Sequence, residues 1–272
     1  MSRAVLHALV ACVAVGVFAP MIGTFLVQKR LSLMGDGVGH VAYAGVGAGM
    51  LAGIWPVWTA LGFAVVGAAG VEMLRTRRKA SGDLALALFF YTGIALGAVF
   101  TSRIGNGTVD LESTKYLFGD PFKIGWGGLG AVLTLGVLIA AAAISQRRVL
   151  FAVVTDEDWA RVSGLPVDRL NMALAVITAC VVIAGMRVVG ILLIAPIMVL
   201  PVASAQLVAR SFRSTLWIAV TIGGVSSVVG LAVGRTLNIS PGGTIVLTTT
   251  AVFTVVAIVK RTAANALTGI HR

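Results

Sequence analysis

Nine apolar runs dominate this chain: 4–27, 34–54, 57–74, 84–101, 124–144, 170–185, 188–208, 215–233 and 244–259. A helix of about 20 residues crosses a hydrocarbon core of about 30 Å, and in lipid a backbone can satisfy its own hydrogen bonds only as a helix or a closed barrel. Only 11% of the 272 residues are charged and 58% are hydrophobic, whereas soluble domains carry roughly a quarter of charged residues. The expectation is an all-α integral membrane protein forming a single transmembrane domain over residues 1–272, with nine spans and a tolerance of eight to ten. The sixth run is short and tied to the seventh through Gly185-Met186-Arg187-Val188-Val189-Gly190, so those two can instead form a re-entrant hairpin. The first run exceeds a signal-peptide core and is read as a mature helix.

Lysine and arginine placement orients the chain, because cytoplasmic loops concentrate these residues. With an external N-terminus, 15 of the 21 basic residues fall inside, among them Lys29, Arg75, Arg77, Arg78, Lys79, Arg147, Arg161 and Arg272. Six remain outside: Arg3, Arg103, Lys115, Lys123, Arg187 and Arg235. The C-terminus is then cytoplasmic. The formal charge of +11 lies in short clusters between apolar runs, which argues against a nucleic-acid surface. Cys12 and Cys180 sit singly within apolar runs and form neither a disulfide framework nor a thiolate metal site.

Chemistry concentrates in Leu31-Ser32-Leu33-Met34-Gly35-Asp36-Gly37-Val38-Gly39-His40. Ionisable groups at membrane depth are costly and mark function by default. On a helix Asp36, His40 and Tyr43 share one face. Gly45, Gly49 and Gly53 fall on roughly the opposite one, a small-residue seam for close helix approach and a candidate gate. Asp36 and His40 offer one oxygen and one imidazole nitrogen, a donor set suited to zinc or manganese. A bland alternative is an Asp36–His40 hydrogen-bonded pair, or Asp36 capping its helix. Glu72, one turn before Arg75, reads as snorkelling or salt-bridged. His7 and His271, near the chain ends, read as non-ligands, and the methionines as packing.

Two loops are long. The external one, 105–123, carries Asp110, Glu112 and Asp120. In the internal one, Thr155 or Asp156 can cap a short helix with an acidic first turn, Gly164 can end it and Pro166 can start the next segment. No lysine follows a glycine and no His-Glu-x-x-His occurs, so neither a P-loop nor the common zinc-protease motif is present. No catalytic constellation stands out.

The Leu31–Asp36 run followed by His40 resembles the signature of the ABC-transporter permeases that import zinc, manganese or iron(II). Trp159-Ala160-Arg161-Val162-Ser163-Gly164-Leu165-Pro166-Val167 is similar to their cytoplasmic coupling segment, here 151–169. Val189–Pro196 with Leu200–Ala205 resembles their following span, and Ser240–Leu247 the start of their last helix. One departure is that Gly37 and Gly39 stand where Ala and Ser are expected, and each glycine costs about 1 kcal/mol against alanine in a helix.

The resemblance implies a cobalamin-importer-like architecture in the cell membrane. Its partners would be cytoplasmic ATP-binding subunits, an external metal-binding protein and a second permease copy, two Asp36 and two His40 facing one path. Asp156, Glu157, Ala160, Ser163, Gly164, Leu165 and Pro166 would couple to the ATPase. No cofactor is held permanently; Zn2+ is the first choice of cargo because imidazole favours it, with Mn2+ or Fe2+ as alternatives. A more distant alternative is an ATPase-independent metal carrier or channel.

Overall fold

The computed structural model describes residues 3–77, 82–104 and 111–269; Arg78, Lys79, Asp110, His271 and Arg272 lie outside the described residues. In chain order the helices are α1 (Arg3–Gln28), α2 (Met34–Ala52), α3 (Pro56–Thr76), α4 (Gly82–Ile104), α5 (Leu111–Phe118), α6 (Trp126–Ser145), α7 (Arg147–Thr155), α8 (Glu157–Val162), α9 (Val167–Met186), α10 (Ile191–Val208), α11 (Phe212–Leu237) and α12 (Pro241–Gly269). Each of the nine apolar runs maps onto one long helix. The sixth and seventh become α9 and α10, of 20 and 18 residues, each long enough for a full span.

By length and composition, eight helices among the described residues can cross a membrane, and α2 is not one of them. Its glycines, Asp36 and His40 make it the least apolar of the nine. Its 19 residues still extend about 28 Å at 1.5 Å per residue. Lys29, just past α1, and Arg75, in the last turn of α3, both pair with Glu157 of α8. The ends of α1 and α3 therefore lie at one level, and α2 runs from there to the start of α3. The helix is unbroken through Gly37 and Gly39.

Small residues set the spacing of the bundle. A Cβ on Gly16 of α1 would lie 2.5 Å from the Gly223 carbonyl oxygen of α11, and one on Gly23 only 1.9 Å from that of Met198 in α10. Around this close-packed centre, Phe18, Ile22, Phe25, Met186, Ile194 and Ile245 are almost fully buried, in a core that draws on α1, α9, α10 and α12. Helix α10 continues through Pro196 and Pro201.

Candidate functional site

Helix α2 opens at Met34 without a side-chain cap. Asp36, in its first turn, lies where the unpaired N–H groups favour negative charge. His40 follows one turn later, and its Nε2 sits 3.7 Å from Asp36 Oδ1. That separation is too long for a hydrogen bond. The two groups face each other as an open ion pair.

Helix α4 fixes the histidine. The Phe90 ring meets the His40 ring edge-on at 4.4 Å and 72°, and Phe90 in turn meets Tyr91 at 5.3 Å. Gly93 lets the helices touch there, since a Cβ on it would lie 2.6 Å from Val41 N and 2.7 Å from His40 C. Beside the pair is a cavity of about 260 Å³ lined by Leu33, Asp36, Asp83, Leu86, Phe90 and Tyr91. Asp83, in the first turn of α4, is thus a second carboxylate beside Asp36, and no local sequence pattern marks it. Among the described residues, no three His, Cys, Asp or Glu side chains converge as a metal site.

The glycine seam divides. A Cβ on Gly45 would lie 2.7 Å from Ala60 Cα, and one on Gly49 would lie 2.1 Å from Thr59 Oγ1, so both meet α3. Gly53 lies beyond that contact. It caps α2 at φ 65°, its N–H reaching toward the carbonyl oxygens of Gly49 and Met50, with nothing within 4 Å of the Cβ position. Its role is backbone conformation, which only glycine adopts cheaply. The other side of α2 is also a packing face: Gly97 of α4 abuts Tyr43, and Gly47 abuts Phe100.

The internal loop folds as two short helices, α7 and α8. Asp156 caps α8, its side chain accepting from Trp159 N at 2.9 Å. At the other end Gly164 N donates to Arg161 O and Leu165 N to Ala160 O, both at 3.1 Å, a Schellman closure with Gly164 at φ 81°. Leu165 folds inward against Ala160, Val153 and Val167. The expected coupling residues therefore split. Asp156, Ser163, Gly164 and Pro166 are exposed, Ala160 is buried, and Glu157 and Leu165 are half-buried. The apolar tip comes instead from Trp159, 61% exposed, and Val162, 88% exposed.

Glu157 points into the protein. Its Oε1 accepts from Arg75 Nη2 at 2.9 Å and from Asn171 Nδ2 at 3.3 Å, and pairs with Lys29 Nζ at 2.9 Å. Lys29 also donates to Asn171 Oδ1. Arg75 forms a two-point contact with Glu72, Nε to Oε2 at 3.1 Å and Nη2 to Oε1 at 2.9 Å. Glu72 is only 2% exposed, so it is salt-bridged within the bundle rather than snorkelling. The cluster binds α8 to the ends of α1 and α3 and the start of α9. Burial opposes charge on Glu157, but the hydrogen bonds and charges of Lys29 and Arg75 outweigh it and hold the carboxyl below its ordinary value of 4.5. Burial, then repulsion from Arg75, lowers Lys29 despite the two carboxylates.

Eight helices long and apolar enough to cross a membrane, among the described residues, mark a multi-pass membrane protein. The comparisons make that class specific. The model of the ABC 3 transport family (ABC-3) matches residues 1–260, and the chain belongs to that family. A "Probable metal transport system membrane protein" of Treponema pallidum (strain Nichols) is 28% identical over 87% of this chain and 88% of its own length. "Manganese import system permease protein ScaB" of Streptococcus parasanguinis is 27% identical over 91% and 87%. The solved structure "PsaBC from Streptococcus pneumoniae in complex with Fab" superposes with a TM-score of 0.82 at 26% identity, covering 93% of this chain and 91% of that one. The chain is accordingly a membrane protein of the ABC 3 transport family, similar over most of its length to proteins named for metal transport.

Proposed function

We propose that the chain carries a divalent transition-metal ion through the cell membrane, two permease copies presenting Asp36 and His40 to a shared path. The observation that carries this reading is the open pair itself. A carboxylate and an imidazole face each other at 3.7 Å without a closing hydrogen bond, so both keep lone pairs for a passing ion. One copy supplies too few ligands for a resting site, and a second copy raises the number toward the four or more that zinc or manganese takes. Incomplete, mixed coordination suits cargo that must leave. Manganese or iron(II) suits the same donor set, and relatives named for manganese and for iron transport support that reading.

Cytoplasmic ATP-binding subunits would seat on α8 through Trp159 and Val162, and an external metal-binding protein would deliver the ion at the opposite end. The N-terminus would lie outside, as the basic residues suggest. The test is uptake of Zn2+, Mn2+ and Fe2+ by the reconstituted complex. Asp36→Asn and His40→Ala are each expected to abolish uptake while the complex still assembles. Normal uptake by both variants would sink the reading, and loss of assembly would assign the pair a structural role.

A further inference from the structure

At the end of the bundle opposite α8, two cavities adjoin. The larger, about 450 Å³, lies between α3, α6 and α9 and is walled mainly by apolar side chains such as Trp58, Leu61, Leu135 and Ile183. The smaller, about 350 Å³, is polar and lined by Lys115, Lys123, Asp120, Tyr116 and Arg187. Trp55, Ile124 and Arg187 border both, so the two are compartments of one recess, of the size that ligand sites occupy.

Charge and depth define what fits. Among the described residues, Arg187 and Lys123 line the polar compartment, and Asp120 pairs with Lys123 at 2.8 Å, leaving the Arg187 charge unanswered there. Arg187 is exposed and has no acidic partner among the described residues. Trp55, Trp58 and Trp126, three of the five tryptophans, are exposed around the recess. Tryptophan gathers at the level where lipid headgroups meet hydrocarbon. The apolar compartment thus opens between membrane helices and the cationic one lies on the water side of the aromatic belt.

We propose that this recess binds an anionic phospholipid, one acyl chain between α3, α6 and α9 and the phosphate at Arg187 and Lys123. The occupant would wedge against the first turns of α3, whose other side bears Thr59 and Ala60 on the Gly45–Gly49 seam.

The test uses the full permease–ATPase complex released from nanodiscs of equal phosphatidylglycerol and phosphatidylcholine, with retained lipid counted by native mass spectrometry. Phosphatidylglycerol is expected to be retained about tenfold over phosphatidylcholine, the order of one or two charge-assisted contacts. Arg187→Gln with Lys123→Gln should erase the preference. Gly127→Leu should lower retention of both lipids; Gly127 lines the apolar compartment and a Cβ there meets nothing within 4 Å. Equal retention of the two lipids by the wild type, or retention indifferent to all three substitutions, would overturn the proposal. So would displacement of the lipid by glycerol phosphate as readily as by phosphatidylglycerol, which would mark an anion site alone. If the double substitution abolishes docking of the external binding protein and leaves lipid preference intact, the cations serve that protein and the proposal fails.

Discussion

Glu157 Oε1 and Lys29 Nζ lie 2.9 Å apart, joining the short helix α8 to the end of α1 across 128 residues of sequence. Through the same oxygen Arg75 ties in α3. Glu157 anchors α8 to the rest of the bundle, and Trp159 and Val162 are what α8 presents outward.

Glu157→Gln should therefore loosen α8 without altering its exposed surface. Lys29, whose side chain is 4% exposed, would lose its full charge partner. The expected loss is on the order of 2 kcal/mol, between the values for exposed and buried pairs. Thermal unfolding in detergent should register it. ATP hydrolysis by the complex should persist while metal uptake per ATP falls severalfold. An unchanged coupling ratio would remove the cluster from force transmission.

The same carboxylate sets an acid limit. Because its folded pKa lies below the ordinary 4.5, its pairing contributes fully above that value and is lost as pH falls through the lower, folded one. Hydrogen-exchange protection of α8 should stay level from neutrality down to about 4.5 and then decline. In Glu157→Gln this decline should be absent.

Much of this architecture is legible in the sequence. Apolar runs mark the nine long helices, and the Asp156 and Gly164 signals bracket α8 correctly. Glu72 and Arg75 announce their bridge by lying three residues apart. The rest depends on distant partners. Arg75 meets Glu157 over 82 residues and Lys29 meets Asn171 over 142, and no local pattern encodes such pairings. Asp83 joins the site only because Gly93 and Gly97 press α4 onto α2. Gly53 was misread because the 3.6-residue period continues past the point where α2 stops.

The seam supplies a third prediction. Gly49→Leu would drive side-chain atoms into Thr59 and Pro56, and overpacking of this kind costs about 1–3 kcal/mol or more. The expected outcome is a spread α2–α3 pair and ATP hydrolysis uncoupled from uptake. Gly53→Ala costs about 1 kcal/mol through its left-handed backbone and leaves coupling intact. Extracted yield separates misfolding from uncoupling, and wild-type coupling in well-folded Gly49→Leu would show that the seam is no gate.

Trp159→Ala tests the outward face of α8. The exposed ring is not part of the core, so stability should stay within about 0.5 kcal/mol. Association with the ATP-binding subunits, followed by co-purification, should drop at least tenfold. A cysteine replacing exposed Ser163 should cross-link to the same subunit in a nucleotide-dependent manner. Retained association in Trp159→Ala would place the contact elsewhere.

The shared oxygen of Glu157 also dictates the order in which this protein can evolve. Replacing Lys29 leaves Glu157 its bond to Arg75, and replacing Arg75 leaves it Lys29. Replacing Glu157 first strands two cations side by side at the bundle's edge, with Glu72 able to answer only one of them. Lineages that abandon the cluster should shed a cation before the acid, and chains retaining Lys29 and Arg75 beside a neutral residue at 157 should be rare.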